Sequence, residues 1–180
     1  MRPVDLDFLV RKLRAAGCEV VEGGRHVQVV GMRPLHPVDV TTWPHPGFAS
    51  DLQSQFVALM TQAAGTSIVS EAIYEHRFRV VEELRKLGAD VAVEGRSALV
   101  HGPSRLTAAR VCIPDIRSGA ALVIAALCAQ GTTELERVFH LDRGYEDMEG
   151  KLRSLGADVE RVTEGPPGSP VRDLSGVVGD

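Results

Sequence analysis

Asp115-Ile116-Arg117-Ser118-Gly119-Ala120, followed by Gly131-Thr132, Arg143 and then Leu152-Arg153-Ser154-Leu155-Gly156-Ala157-Asp158-Val159, repeats a plan laid down earlier in the chain. The first copy runs Asp51-Leu52-Gln53-Ser54-Gln55-Phe56, Gly65-Thr66, Arg77 and Leu84-Arg85-Lys86-Leu87-Gly88-Ala89-Asp90-Val91. Gly65 to Arg77 and Gly131 to Arg143 span equal distances. A third, partial copy, Leu13-Arg14-Ala15-Ala16-Gly17-Cys18-Glu19-Val20, carries the same Leu-x-x-x-Gly-x-x-Val signature. Self-similarity at a period of several tens of residues marks a supersecondary unit used more than once. Each full copy places an acid before a helix and an arginine after a strand, and that pairing is where chemistry is expected.

Working outward, residues 5–16 space Leu6, Phe8, Leu9, Leu13 and Ala16 as a helix stopped by Gly17. Glu19 to Val21 and His26 to Val30 alternate about Gly23-Gly24 as a hairpin. Four prolines between Met32 and Phe48 exclude a helix interior and predict an extended crossover with a short strand at Val38 to Thr41. Ser50-x-x-Gln53 matches a capping box for a helix bearing Leu52, Phe56, Leu59 and Ala63 and ended by Gly65. Strand Ser67 to Ser70, helix Arg79 to Leu87, and a hairpin of Asp90 to Val93 with Ala98 to His101 complete that copy. The second is predicted as strand 110–113, helix 118–130, strand 134–138, helix 145–155 and strand 158–162. The glycine- and proline-rich tail, 163–180, is expected to be disordered.

Each unit therefore reads β-α-β-α-β-β. Its amphipathic helices must pack on one another, and the run Ala120 to Ala129, apolar all round, belongs at their centre. An α/β architecture with helices inside and sheets outside follows.

At 180 residues, 44% hydrophobic and 24% charged, the composition is that of an ordinary globular protein. A net charge of −4 provides no global attraction to nucleic acid or anionic membrane. The longest apolar run is too short to span a bilayer. Cys18, Cys112 and Cys128 show no C-x-x-C spacing and read as buried thiols in a reducing, cytoplasmic setting. The histidines do not cluster at metal-ligand spacing and no phosphate-loop signature occurs, so neither metal nor cofactor is expected.

Phe48-Ala-Ser-Asp-Leu-Gln-Ser-Gln-Phe56, Ile73-Tyr-Glu-His-Arg-Phe78, Pro114-Asp-Ile-Arg-Ser-Gly-Ala-Ala-Leu122 and His140-Leu-Asp-Arg-Gly-Tyr-Glu146 resemble motifs of the UDP-N-acetylglucosamine 1-carboxyvinyltransferases, an enolpyruvyl transferase family. The resemblance covers about 5–162. It implies an inside-out α/β barrel of repeated β-α-β-α-β-β units, incomplete relative to the two-domain family. Residues 1–31 would end the second domain and 32–162 form the main part of the first. It also implies a missing N-terminal half, which carries a Lys-Asn pair for phosphoenolpyruvate and a loop cysteine.

The resemblance further implies UDP-N-acetylglucosamine and phosphoenolpyruvate as substrates, in peptidoglycan synthesis. Asp51 would contact the sugar and take the proton from its attacking hydroxyl, against the plain alternative of a helix-terminal acid worth ~0.3–1 kcal/mol. Ile73 and Tyr74 would meet the nucleotide sugar; Tyr74 replaces the usual phenylalanine. Asp115 and Arg117 would lie near the reacting centre, although a cap with a surface ion pair explains them equally. Arg143 would grip the phosphoenolpyruvate anion through paired donors. Glu75 and Arg77 read as a local ion pair. The rival readings are a non-catalytic sugar-nucleotide-binding fragment or paralogue and the shikimate-pathway enolpyruvyl transferase.

Overall fold

The computed structural model describes residues 3–162; the tail expected to be disordered lies outside them. Contacts divide the chain between Glu146 and Asp147.

A 3₁₀ turn at Pro3–Leu6 leads into α1 (Asp7–Ala15), and β1 (Glu19–Glu22) pairs antiparallel with β2 (Val27–Val30). Val10, Cys18 and Val20 form a small core of their own, flanked by Leu6, Leu13, Val27 and Leu35.

The proline-rich crossover then delivers β3 (Val40–Thr41), a 3₁₀ turn (Ser50–Leu52), α2 (Gln53–Met60), β4 (Gly65–Ser70), α3 (Val80–Lys86), β5 (Asp90–Glu94) and β6 (Ser97–Gly102). This is the β-α-β-α-β-β order expected from the sequence. The four strands form one sheet in the order β3-β4-β6-β5, with β3 parallel to β4 and the other two pairings antiparallel. β4 alternates: Ser67 and Val69 are buried and Thr66 and Ile68 exposed, as a sheet with one packed face requires.

The second copy supplies β7 (Arg110–Cys112), α4 (Ile116–Cys128), β8 (Glu134–Glu136) and α5 (Phe139–Asp142), with β7 parallel to β8. Phe56, Val57 and Met60 of α2, Val80, Val81 and Leu84 of α3, and Ala121 and Leu122 of α4 are buried. α4 packs against α2, α3 and α5. Each fully buried Leu or Val contributes roughly 1.5–3 kcal/mol. Gly119 permits the α4–α5 approach, since a Cβ there would lie 2.7 Å from Leu141 Cδ2.

Beyond the division, α6 (Met148–Ser154) is capped by Asp147, whose carboxylate accepts from Gly150 N at 3.1 Å.

Several expectations change. Burial in α4 is confined to residues 118–123 and Ala125; Ile124, Leu127 and Cys128 face outward, so the helix is not enclosed all round and Cys128 is not a buried thiol. Cys112 is half-buried. Gly65 does not end α2 but opens β4, because the helix has already closed at Met60. α5 is an additional short helix, and α6 begins at Met148 rather than Tyr145 because Asp147 provides the cap. Residues 158–162 form no strand; the backbone there finds no ladder partner among the described residues. No helix among the described residues is long and apolar enough to cross a membrane.

The Leu-x-x-x-Gly-x-x-Val signature has one structural meaning in all three copies. Gly17, Gly88 and Gly156 take φ of 91°, 93° and 92°. Cys18, Ala89 and Ala157 donate back to the carbonyls of Leu13, Leu84 and Leu152, and each glycine to that of the following arginine, as in a Schellman motif. Arg14, Arg85 and Arg153 then reach forward to the carbonyls of Val20, Val91 and Val159, each at 2.8 Å. The arginine thus ties the end of each helix to the chain that follows it.

Candidate functional site

The site grows from Glu71, just past the end of β4. Its side chain is buried, and its Oε1 accepts from Thr42 Oγ1 at 2.7 Å and from the amides of Ile73 and Tyr74 at 2.8 and 3.1 Å. Its Oε2 accepts from Ser50 Oγ at 2.7 Å. Burial alone pushes this carboxyl up, but the hydrogen bonds from Thr42 and Ser50, then from the Tyr74 and Ile73 amides, outweigh it. The group is held below the ordinary glutamate range and stays ionised. Arg96 closes the turn from outside, donating to the carbonyls of Glu71 and Tyr74. One carboxylate therefore fixes three segments distant in sequence: the end of β3, the entrance to α2 and the turn 71–74.

This arrangement replaces the capping box expected at Ser50. The Ser50 hydroxyl is turned inward to Glu71, and neither the 3₁₀ turn nor α2 has a side-chain cap. Asp51, the next residue, is left pointing outward with its side chain 78% exposed. It lines an open depression of about 290 Å³ together with Trp43, Pro44, His45, Ala49, Ser50, Ile73 and Tyr74.

Two guanidinium groups face Asp51 Oδ1: Arg117 Nη1 at 3.5 Å and Arg77 Nη1 at 4.0 Å. The Arg77 side chain is only 14% exposed, and it stacks on the Tyr74 ring with Cζ 4.1 Å from the centroid. Its Nη1 is buried without a hydrogen-bond partner among the described residues. Arg77 therefore turns toward Asp51 rather than forming the local pair expected with Glu75.

Asp115 is the N-cap of α4. Its Oδ1 accepts from the amides of Arg117 and Ser118 at 3.0 and 3.1 Å, and its Oδ2 accepts from Ser118 Oγ at 2.9 Å. Burial raises its pKa, but the Ser118 amide and hydroxyl and the neighbouring Arg117 lower it further, and the net effect is downward. Arg117 Nε lies 3.6 Å from Asp115 Oδ1, so this one arginine joins both acids. Arg143 stands exposed immediately after α5. The backbone beside it packs on the start of α4, where a Cβ at Gly144 would overlap Ile116 Cδ1.

The structure thus gathers Asp51, Ile73, Tyr74 and Arg117, links Asp115 to them through Arg117, and leaves Arg143 outside the residues lining the depression. Glu71 and Arg77 also belong with the group. The echo between Arg77 and Arg143 in the two copies points to Arg77 from sequence alone. Glu71 has no local signature, because the two hydroxyls it binds are 21 and 29 residues away along the chain. Among the described residues no group of three His, Cys, Asp or Glu side chains is placed to hold a metal.

Comparison with known proteins bears on this grouping. The EPSP synthase (3-phosphoshikimate 1-carboxyvinyltransferase) family model matches residues 1–152. The chain belongs to that family. Proteins named UDP-N-acetylglucosamine 1-carboxyvinyltransferase are similar to it: 49% identical over 160 residues in Desulfatibacillum aliphaticivorans and 52% over 158 residues in Anaeromyxobacter. These alignments cover 89% and 87% of this chain but 38% and 37% of the relatives, so the chain spans less than two-fifths of their length.

Among solved structures, the enolpyruvyl transferase NikO from Streptomyces tendae superposes with a TM-score of 0.83 at 34% identity, over 89% of this chain and 37% of that one. EPSP synthase from Acinetobacter baumannii superposes at 0.64 with 18% identity, over 87% of this chain and 36% of that one, which shows the shared fold alone. The chain has the enolpyruvyl transferase α/β fold, in part.

Proposed function

We propose that this chain forms part of a UDP-N-acetylglucosamine 1-carboxyvinyltransferase, supplying the acid and arginine wall at which enolpyruvyl passes from phosphoenolpyruvate to a sugar hydroxyl. The observation that carries the reading is the exposed Asp51 carboxylate, free of any capping role and set between Arg117 and Arg77 at the edge of a depression. Similarity to proteins bearing that name at 49% identity supports the substrate assignment over the shikimate-pathway alternative.

In this reading the hydroxyl oxygen bonds to C2 of phosphoenolpyruvate as C3 gains a proton from a group outside this chain. Asp51 accepts the hydroxyl proton as the C–O bond forms, when that proton is most acidic. Loss of a C3 proton then expels phosphate and restores the double bond. Arg117, Arg77 and Arg143 oppose the carboxylate and phosphate charges, which suit paired guanidinium donors. Asp115 holds Arg117 in place. Ile73 and Tyr74 meet the nucleotide sugar. No metal or organic cofactor takes part. In this reading residues 1–31 belong to the second family domain and 32–162 to the first. Free thiols at Cys18, Cys112 and Cys128 support a cytoplasmic setting.

A second reading, a sugar-nucleotide-binding fragment without turnover, is favoured by the share of the relatives that the chain spans. Phosphate release from the two substrates distinguishes them, measured for the 180-residue chain alone and mixed with the N-terminal remainder of a relative. The transferase reading expects release only in the mixture. Release in neither, with both partners folded and associated, would reject it.

A further inference from the structure

Trp43 is 63% exposed although it is the largest side chain lining the depression that holds Asp51. It is the only tryptophan in the sequence. A large apolar ring left in water needs a reason, because exposure forgoes the burial that makes such rings valuable.

Its surroundings exclude a loose loop as that reason. Thr42, the preceding residue, is fully buried; its hydroxyl donates to Glu71 and accepts from Ala72 N at 2.9 Å. Trp43 N donates to the Phe48 carbonyl at 2.9 Å, and Gly47 N to that of Pro44 at 2.8 Å. Phe48 is itself buried, edge-on to Phe56 at 5.3 Å and to Phe8 at 6.4 Å. Only glycine fits at 47, where a Cβ would come within 2.5 Å of Trp43 Cβ. The backbone is fixed from both sides and the indole is held outward.

The other exposed aromatic of the depression, Tyr74, already has Arg77 over one face of its ring. Among the described residues the Trp43 indole has no aromatic or cationic neighbour of that kind. The depression, at about 290 Å³, falls just below the ~300–1,000 Å³ typical of ligand sites. The ring that must approach Asp51 is the one bearing the attacking hydroxyl. A pyranose has one face of C–H groups, weakly positive, which packs on the negative face of an indole.

We infer that Trp43 is a specificity-determining residue of this chain, the platform on which the sugar ring of the nucleotide sugar lies while its hydroxyl faces Asp51. The inference rests on the sugar-nucleotide reading above.

The sole tryptophan makes the test direct. The 180-residue chain is titrated with UDP-N-acetylglucosamine and separately with UDP, following tryptophan fluorescence and, independently, calorimetric heat. The expected result is a saturable fluorescence change with UDP-N-acetylglucosamine that tracks the heat, and heat without that change for UDP. Trp43→Ala should weaken sugar-nucleotide binding about tenfold while leaving UDP affinity unchanged, and Trp43→Phe should restore most of the loss. Circular dichroism and melting temperature confirm that both variants fold. Heat with no fluorescence change, an equal change with UDP alone, or undiminished binding by Trp43→Ala each overturns the Trp43 role and leaves the wider reading standing. Absence of any heat at millimolar ligand also overturns the Trp43 role, whereas the transferase reading is decided by phosphate release in the mixture.

Discussion

Asp51 and Asp115 occupy one position in two copies of a single sequence plan, yet the fold uses them in opposite ways. Asp115 is drawn back onto the helix it precedes: it adopts an extended backbone and holds the Arg117 and Ser118 amides and the Ser118 hydroxyl. Asp51 lies one residue inside its helical segment, within the 3₁₀ turn Ser50–Leu52, and holds none. Ser54, the counterpart of Ser118, donates instead to Gln53 Oε1 at 3.1 Å. The difference traces to Ser50, whose hydroxyl is committed to Glu71. A repeat conserves where a residue stands in a unit, whereas its chemistry depends on neighbours that the other copy does not have.

Replacing each acid by its amide probes this contrast most strongly. In an enzyme completed by the missing portion, Asp51→Asn should lower kcat by ~10²–10⁴-fold with an unchanged melting temperature, because the carboxylate accepts a proton and caps nothing. Asp115→Asn should cost less than about tenfold, since asparagine still caps a helix. Equal losses, measured as phosphate release at saturating substrate, would break the comparison.

The next largest effect is on the residue behind the difference. Glu71→Ala leaves two buried hydroxyls and two amides without their acceptor and should cost roughly 3–4 kcal/mol in urea unfolding. Its pH dependence has a definite sign. The folded pKa is depressed, so the stabilisation is present above the ordinary glutamate value of 4.5 and is lost as pH falls through the lower folded value. Wild-type stability should therefore drop between neutral pH and about pH 3 more steeply than that of Glu71→Gln. Parallel unfolding midpoints for the two would show that Glu71 is not held ionised.

Smaller effects sharpen the structural half of the contrast. Asp115→Ala should cost about 0.5–2 kcal/mol, the value of a lost N-cap. Asp51→Ala, measured alongside, should stay within about 0.5 kcal/mol. Between these two, Arg85→Gln should cost ~0.5–1 kcal/mol by removing the bond to the Val91 carbonyl.

What could be read from the sequence was what neighbours along the chain decide. The stops at Gly17, Gly88 and Gly156, the two hairpins and the β-α-β-α-β-β order of the first full copy follow from local periodicity and turn chemistry. The failures lie where distant groups intervene. Ser50 has the local pattern of a cap but serves Glu71, an acid just past the end of β4. Residues 158–162 alternate like a strand but have no partner strand among the described residues. The apolar run in α4 is symmetrical in composition, yet Ile124 and Leu127 are exposed because burial depends on what surrounds a helix. Asp51 is legible as a candidate free of capping, but the capping box implies Ser50 as the cap, whereas Ser50 is held by Glu71 and no side chain caps the turn.

The arginine closures at Arg14, Arg85 and Arg153 carry a kinetic consequence. Each joins residues six apart in sequence, so each corner forms with little loop entropy and without waiting for the sheet. By contrast β4 meets β6 across more than thirty positions when Gly65 pairs with Gly102. The corners are therefore early structure, set before the long-range ladder closes. In pulse-labelling hydrogen exchange during refolding, the amides of Cys18 and Ala89 should gain protection ahead of those within β4.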